Sequence, residues 1–272
     1  MVCQKVSHNL VIKEKNELDF PYTDMGFLYG YGLFETIRVH NKTPLLIREH
    51  CTRMRRGSII LDIEFSYSQD DMCHQAEKLI KENKITNGTL NIYLTPGNKE
   101  DNKKEKMLLM VLRPEDDTDV DKKLSIGFQQ ESFQRIPLDR FKTLSWYKNI
   151  LERQLVHDVD DIVLFDKDKM VLEATTANIF FVKKNYLFTP KSSVILQGVT
   201  RQFLLNNQDK FGTEVIWQPI KLEEIDQFDE VFLTNSKKGI ILVEKNREFP
   251  QLTSKEVSKA IKNTYQSLLN IQ

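Results

Sequence analysis

The segment Arg140-Phe141-Lys142-Thr143-Leu144-Ser145-Trp146 is followed by Leu172-Glu173-Ala174-Thr175-Thr176-Ala177-Asn178-Ile179-Phe180-Phe181-Val182 and then by Ile195-Leu196-Gln197-Gly198-Val199-Thr200-Arg201. Lys142 stands just after a β-patterned run, Glu173 opens an apolar stretch, and Gly198 marks a turn into a helix. One amine, one carboxylate and one glycine turn at a helix start are the parts that pyridoxal phosphate needs. The amine condenses with the aldehyde, the acid pairs with the pyridinium nitrogen, and helix-start amides hold the phosphate. None of these signals is diagnostic alone, so the rest of the chain decides whether they belong together.

A chain of 272 residues can bury a sizeable core as one large or two modest domains. Lys plus Arg and Asp plus Glu both number 39, giving zero formal charge. Such a balance argues against a nucleic-acid or anionic-membrane partner, since both select basic surfaces. With 40% hydrophobic and 10% aromatic residues, the composition is that of a folded protein. The start of the chain lacks a signal peptide's apolar core, and no apolar run approaches the ~18 residues of a membrane span. Cys3, Cys51 and Cys73 are scattered, show no paired metal spacing and leave an odd thiol, which fits a reducing cytoplasm.

Along the chain, His8-Asn9-Leu10-Val11-Ile12 reads as a strand. The glycines of Gly26-Phe27-Leu28-Tyr29-Gly30-Tyr31-Gly32 then punctuate the backbone before Leu33–Val39. In that second strand Leu33, Glu35 and Ile37 share one face, and Phe34, Thr36 and Arg38 the other. The latter face suits either a wall around a polar ligand or a solvated edge. Arg53, Arg55 and Arg56 sit close together on a basic helix, as a phosphate site or as its wet side. Ser68–Asn83 has N-cap chemistry and helical periodicity. Gly88–Thr95 and Lys106–Arg113 pair as strands, joined by a polar loop from Pro96 that forms a mobile pocket rim. The acidic, proline-opened stretch after residue 113 is the best boundary, giving domains at 1–115 and 124–272 with a linker at 116–123. Beyond it, Trp146–His157 is helical with Ile150, Leu151 and Leu155 as its apolar side. Gln202–Phe211 continues the helix begun at Val199, and Ser254–Leu269 closes the chain as an amphipathic helix.

Taken together, these residues resemble the fold-type IV pyridoxal-phosphate enzymes, the group of branched-chain and D-amino-acid aminotransferases and aminodeoxychorismate lyases. Six segments match in order: 26–38, Glu49-His50-Cys51-Thr52-Arg53-Met54, the Lys142 segment, 173–180, 196–201 and Glu230-Val231-Phe232-Leu233-Thr234-Asn235-Ser236. The resemblance implies an α/β (α+β) fold of two domains with the cofactor, pyridoxal 5'-phosphate, in the interdomain cleft, and a homodimer acting on a small molecule. It also implies roles. Lys142 is the cofactor-linking lysine; Lys148, inside the helical run, is its rival. Glu173 is the acid beside the pyridine nitrogen, and Arg53, the amides of Val199 and Thr200, and Ser236 hold the phosphate. Lys237 and Tyr29 line the substrate side, and Trp146 stands where relatives often place an aromatic near the cofactor oxygen.

Within the family, Thr36 in Phe-Glu-Thr-Ile-Arg and Asn235 in Thr-Asn-Ser favour the lyase. Branched-chain aminotransferases usually have glycine at the first position, and transaminases more often a small residue at the second. Thr36 offers a hydroxyl near the cofactor and joins Lys142 as a catalytic candidate, while Arg38, Asn235 and Lys237 are candidates for the substrate carboxylates. Where some relatives carry an arginine after the strand at 88–95, this chain reads Thr95-Pro96-Gly97. At least one carboxylate contact therefore comes from elsewhere, the partner subunit being one source. The resulting expectation is conversion of 4-amino-4-deoxychorismate to 4-aminobenzoate and pyruvate in folate biosynthesis. The alternative is a D-amino-acid or branched-chain amino-acid aminotransferase.

Overall fold

The computed structural model describes residues 3–19, 21–98, 106–115, 122–129, 134–252 and 254–271. The chain divides into two compact units, Met1–Thr118 with Phe141–Ser145, and Asp119–Arg140 with Trp146–Gln272. Residues 116–121 of the expected linker, and positions 99–105 of the expected mobile rim, lie outside the described residues.

An antiparallel sheet organises the first unit. β1 (Lys5–His8) and β2 (Val11–Glu14) form a hairpin. The single strand expected at 8–12 is broken because Asn9 (φ 49°) and Leu10 (φ 61°) turn the chain there, as a two-residue hairpin loop requires. The short helix α1 (Met25–Tyr29) ends at Gly30, whose φ of 64° is open to glycine without steric cost. There follow β3 (Leu33–His40), β4 (Thr43–Pro44), α2 (Ile47–Ile60), α3 (Gln69–Glu82), β5 (Gly88–Thr95) and β6 (Met107–Pro114). The strand order is β2-β1-β6-β5-β3-β4. Ser68 caps α3 as its chemistry predicts: its Oγ accepts the Asp71 N–H (3.0 Å), and the Asp71 carboxylate accepts the Ser68 N–H (3.1 Å). Leu33 and Ile37 of β3, with Leu90 and Ile92 of β5, pack against Met54 of α2 and Met72 and Leu79 of α3. Each such side chain contributes about 2 kcal/mol on burial. Phe34, Thr36 and Arg38 take the opposite face of β3, as period two dictates.

The second unit contains β7 (Ile126–Phe128), α4 (Tyr147–Leu155), β8 (Asp161–Phe165), β9 (Val171–Ala174), β10 (Asn178–Lys183), β11 (Tyr186–Pro190), α5 (Val199–Asn206), β12 (Glu214–Gln218), β13 (Glu230–Asn235), β14 (Gly239–Leu242) and α6 (Glu256–Leu268). One sheet runs β12-β11-β10-β13-β14 and a smaller one β7-β8-β9. Phe180 and Phe232 face each other across β10 and β13 with their rings stacked 5.0 Å apart. Buried Glu230 accepts bonds from Val257 N–H (3.1 Å) and Ser258 N–H (2.8 Å), so the carboxylate that opens β13 caps the start of α6.

Two local expectations change here, and one strand was not expected. The helix begun at Val199 stops at Asn206, where the Asn207 amide bonds the Phe203 carbonyl (2.9 Å), and a 3-10 turn occupies Gln208–Phe211. β12, lying parallel to β11, has no clear apolar alternation to announce it. The supposed core side of α4 is outward: Ile150, Leu151 and Leu155 are exposed, and Asn149 and Glu152 are buried. Asn149 accounts for that orientation, because its amide donates to Thr175 O (2.6 Å) and its carbonyl accepts from Arg135 (3.0 Å). No helix among the described residues is long and apolar enough to cross a membrane.

Candidate active site

The expected phosphate arginine is built from a strand and a helix of the first unit. Arg53 projects from α2 toward Glu35 of β3, donating from Nε (2.8 Å) and Nη2 (2.5 Å) to the two carboxylate oxygens. Glu35 also accepts from His50 Nδ1 (2.6 Å), one helical turn before Arg53. Burial pushes the Glu35 carboxyl up, but the Arg53 guanidinium and His50 outweigh it and hold the group down at about 2. His50 is itself lowered, first by burial and against the opposing charge of Glu35. A charge-assisted fork of this kind fixes the guanidinium plane. The other two arginines have different tasks: Arg55 donates to Phe65 O (3.2 Å) and Tyr67 O (2.5 Å), and Arg56 is exposed. The arginine triplet therefore splits into one half-buried fork on a buried carboxylate, one loop anchor and one solvated side chain.

Lys142 is held by β3. Its carbonyl accepts the Phe34 N–H (2.9 Å), Leu144 N–H donates to Gly32 O (2.9 Å), and Leu33 and Thr143 form an isolated bridge. The residues before it, Pro137–Arg140, form a 3-10 turn rather than the β run expected from the sequence, so the strand environment comes from β3 instead. Lys142 Nζ lies 4.3 Å from the Phe34 ring centroid, beside the face that carries Thr36 and Arg38. Its charge is one of the influences that lower His50. Lys148, by contrast, sits in α4, where its Nζ bonds Gln134 O (3.2 Å) and pairs with Asp139 (3.5 Å).

Glu173 belongs to the second unit, on β9, and is 6% exposed. Its carboxylate accepts from Leu196 N–H (3.2 and 3.3 Å) and from Asn178 Nδ2 (3.0 Å). The Asn178 amide also donates to Leu196 O (2.9 Å). The residues between Glu173 and Asn178 explain the motif: Thr175 N–H (3.1 Å), the Thr175 hydroxyl and the Thr176 hydroxyl (2.5 Å) all donate to buried Asp161 of β8. Asp161 thereby pins the β9–β10 turn and sets Glu173 and Asn178 together. Gly198 is required by close approach, since a Cβ there would lie 2.0 Å from Asn178 Oδ1. It also leaves α5 without a side-chain cap. Asp161 and Asn178, like Glu35 and His50, were not foreseen as site residues. Their signal was present only as polar residues inside apolar strands or on a buried helix face.

The remaining candidates are spread across both units. Thr36 is half-buried opposite Asn91, and Arg38 is buried opposite Thr89. Tyr29 is exposed on α1. Ser236 and Lys237 occupy the turn after β13, half-buried and exposed respectively. Asn235 has a local task in that turn: its Oδ1 accepts the Lys238 N–H (2.8 Å), and its Nδ2 is 3.5 Å from Thr176 O. Trp146 is the N-cap residue of α4. Thr95 donates its hydroxyl to Asp24 (2.5 Å), which caps α1 through Gly26 N–H (2.7 Å).

These residues fit a phosphate-bearing aromatic cofactor. Among the described residues the Thr200 hydroxyl on the first turn of α5 is buried without a hydrogen-bond partner, and it accompanies helix-start amides that no side chain caps. Such a group calls for an acceptor, and a helix start favours an anion. The profile of the amino-transferase class IV family matches residues 32–245, and the chain belongs to that family, whose cofactor is pyridoxal 5'-phosphate. Among relatives, the aminodeoxychorismate lyase of Bacillus subtilis (strain 168) is 31% identical over 251 residues, covering 85% of this chain and 82% of that protein. The D-alanine aminotransferase of Bacillus licheniformis is 24% identical over 258 residues, covering 88% and 87%. A solved structure of a candidate 4-amino-4-deoxychorismate lyase from Legionella pneumophila superposes with a TM-score of 0.83 at 27% identity, covering 93% of this chain and 96% of that one.

Proposed function

We propose that this chain is a pyridoxal-phosphate-dependent aminodeoxychorismate lyase, releasing 4-aminobenzoate and pyruvate from 4-amino-4-deoxychorismate for folate biosynthesis. The observation that carries the choice is Thr36, a hydroxyl on the face of β3 beside which Lys142 Nζ lies over Phe34. Similarity to the Bacillus subtilis lyase across most of both chains supports it. When bound, the cofactor supplies an electron sink for the carbon that bears the amine. Glu173, fixed by Leu196 and Asn178, keeps the ring nitrogen protonated. Arg53, the amides of Val199 and Thr200, and Ser236 hold the phosphate. Lys142 Nζ removes the proton from the amine-bearing ring carbon, the carbon–oxygen bond to the side chain breaks, and pyruvate leaves as its enol. Ring aromatisation drives the step, so the protein's share is positioning and charge stabilisation. Arg38, Lys237, Tyr29 and the amide of Asn235 serve the substrate carboxylates and ring.

The enzyme acts as a homodimer in this reading, which the exposed apolar side chains of α1 and α4 support. Free Cys3, Cys51 and Cys73 accord with a cytoplasmic enzyme. The deciding assay gives purified holoenzyme 4-amino-4-deoxychorismate, D-alanine and the branched-chain amino acids in parallel. Equimolar pyruvate and 4-aminobenzoate from the first substrate are expected. Brisk transamination of the amino acids without that pair of products would make the chain an aminotransferase with the same cofactor residues.

A further inference from the structure

The second unit holds a cavity of about 620 Å³ that none of the roles above uses, with Arg140, Lys191, Ile195, Gln197, Arg201 and Trp217 among its lining residues. Its volume lies within the ~300–1,000 Å³ of small-molecule sites. Arg201, on the first turn of α5, is only 7% exposed. Its Nε donates to the Thr189 hydroxyl (3.3 Å) and its Nη2 to Pro190 O (3.0 Å). The guanidinium carbon lies 4.9 Å from the centroid of the Trp217 ring. Among the described residues its hydrogen bonds reach neutral oxygens and no carboxylate pairs with it. Burial lowers its pKa to about 10, opposed by the charge of Glu173. A buried cation without a bonded anion is costly, and that cost is relieved when an anion arrives.

We propose that this cavity is a second ligand site, taking a small carboxylate with a flat apolar body. The carboxylate meets Arg201 and Lys191, and the body lies against Trp217 and Ile195. Three cations line one cavity, so an anion is the complementary charge, while the indole and the aliphatic wall exclude a fully hydrated ion as the best fit. The site is tied to the cofactor residues through a shared segment. Ile195 and Gln197 line the cavity, and Leu196 between them donates its N–H to Glu173 and accepts from Asn178. Occupation of the cavity therefore bears on the backbone that fixes Glu173, whichever reaction the enzyme runs.

The chain has two tryptophans, so Trp146→Phe leaves Trp217 as the sole indole reporter. Benzoate is titrated into this holoenzyme at low ionic strength and Trp217 fluorescence is read. A saturable change is expected, weakened about tenfold by Lys191→Ala, the size of one lost charge-assisted contact. Lys191 is exposed, so this variant folds independently of the buried Arg201; Arg201→Lys, which keeps the charge but loses the fork, is expected to weaken binding further. Absence of a saturable change overturns the proposal. So does a response that Lys191→Ala leaves intact and Lys142→Ala abolishes, since benzoate would then sit among the cofactor residues. Saturation by inorganic phosphate at the same concentrations as benzoate overturns the assigned ligand class.

Discussion

Two buried glutamates, Glu35 and Glu173, are held by opposite means. Glu35 is tied to a guanidinium and an imidazole, and its charge goes into fixing Arg53. Glu173 is anchored by a backbone amide and the Asn178 side chain, donors that hold a carboxylate without themselves neutralising it. Removing Glu35 strands the half-buried Arg53 guanidinium and leaves buried His50 without its carboxylate, a loss of stability. Removing the charge of Glu173 leaves its amide cage nearly intact, so the loss falls on the chemistry. In the proposed function the first carboxylate is a positioning group, and the second faces the ring nitrogen of the cofactor.

The largest effect bears on neither glutamate but on Lys142, the proposed cofactor-linking amine. Lys142→Ala is expected to lower turnover by about 10³–10⁴-fold, with Lys148→Ala near the parent rate; steady-state kinetics on both variants distinguishes the two lysines. The comparison itself is tested by two isosteric changes. Glu173→Gln is expected to cut turnover about 100-fold while costing about 1 kcal/mol in urea unfolding. Glu35→Gln is expected to cost about 3 kcal/mol in the same unfolding experiment, along with weaker cofactor retention. Equal stability losses would erase the distinction drawn here.

Acid sharpens it further. Glu35 has a folded value of about 2 against an ordinary 4.5, so it binds fewer protons in the fold. Its contribution is fully present above pH 4.5 and is lost as pH falls toward about 2. His50, also lowered, acts in the same sense: its contribution is present above its ordinary 6.5 and declines as pH falls through its folded value. Acid unfolding followed by circular dichroism should therefore begin at higher pH in the parent than in His50→Gln, which has no imidazole to charge. A further change is Gly198→Ala. Its Cβ would drive into Asn178, at an expected cost of about 1–3 kcal/mol, and cofactor affinity should fall with it.

How much of this is readable from the chain alone depends on the range of the interactions. The Ser68 cap and the two faces of β3 follow from neighbouring residues, and both can be read from the chain. Arg53 was picked out by type and motif, but its partner lies on a strand separated in sequence, and nothing local marks Glu35 as its counterion. The apolar side of α4 was legible as a stripe, yet its direction was set by Asn149 bonding Thr175 O, a contact that no helical periodicity contains. Similarly, the Thr-Thr pair inside the Glu173 motif looks like site chemistry, while its hydroxyls serve Asp161. Asn235 was chosen for its amide, half of which goes to closing a turn. The residue types were legible because chemistry restricts them; the pairings were not, because packing decides them.

In the proposed function Lys142 is the amine that carries the cofactor. Borohydride reduction of the holoenzyme followed by peptide mass mapping tests it directly. The phosphopyridoxyl mass is expected on the peptide containing Lys142 and nowhere else. Finding it on Lys148, or on no lysine, would contradict the assignment of Lys142.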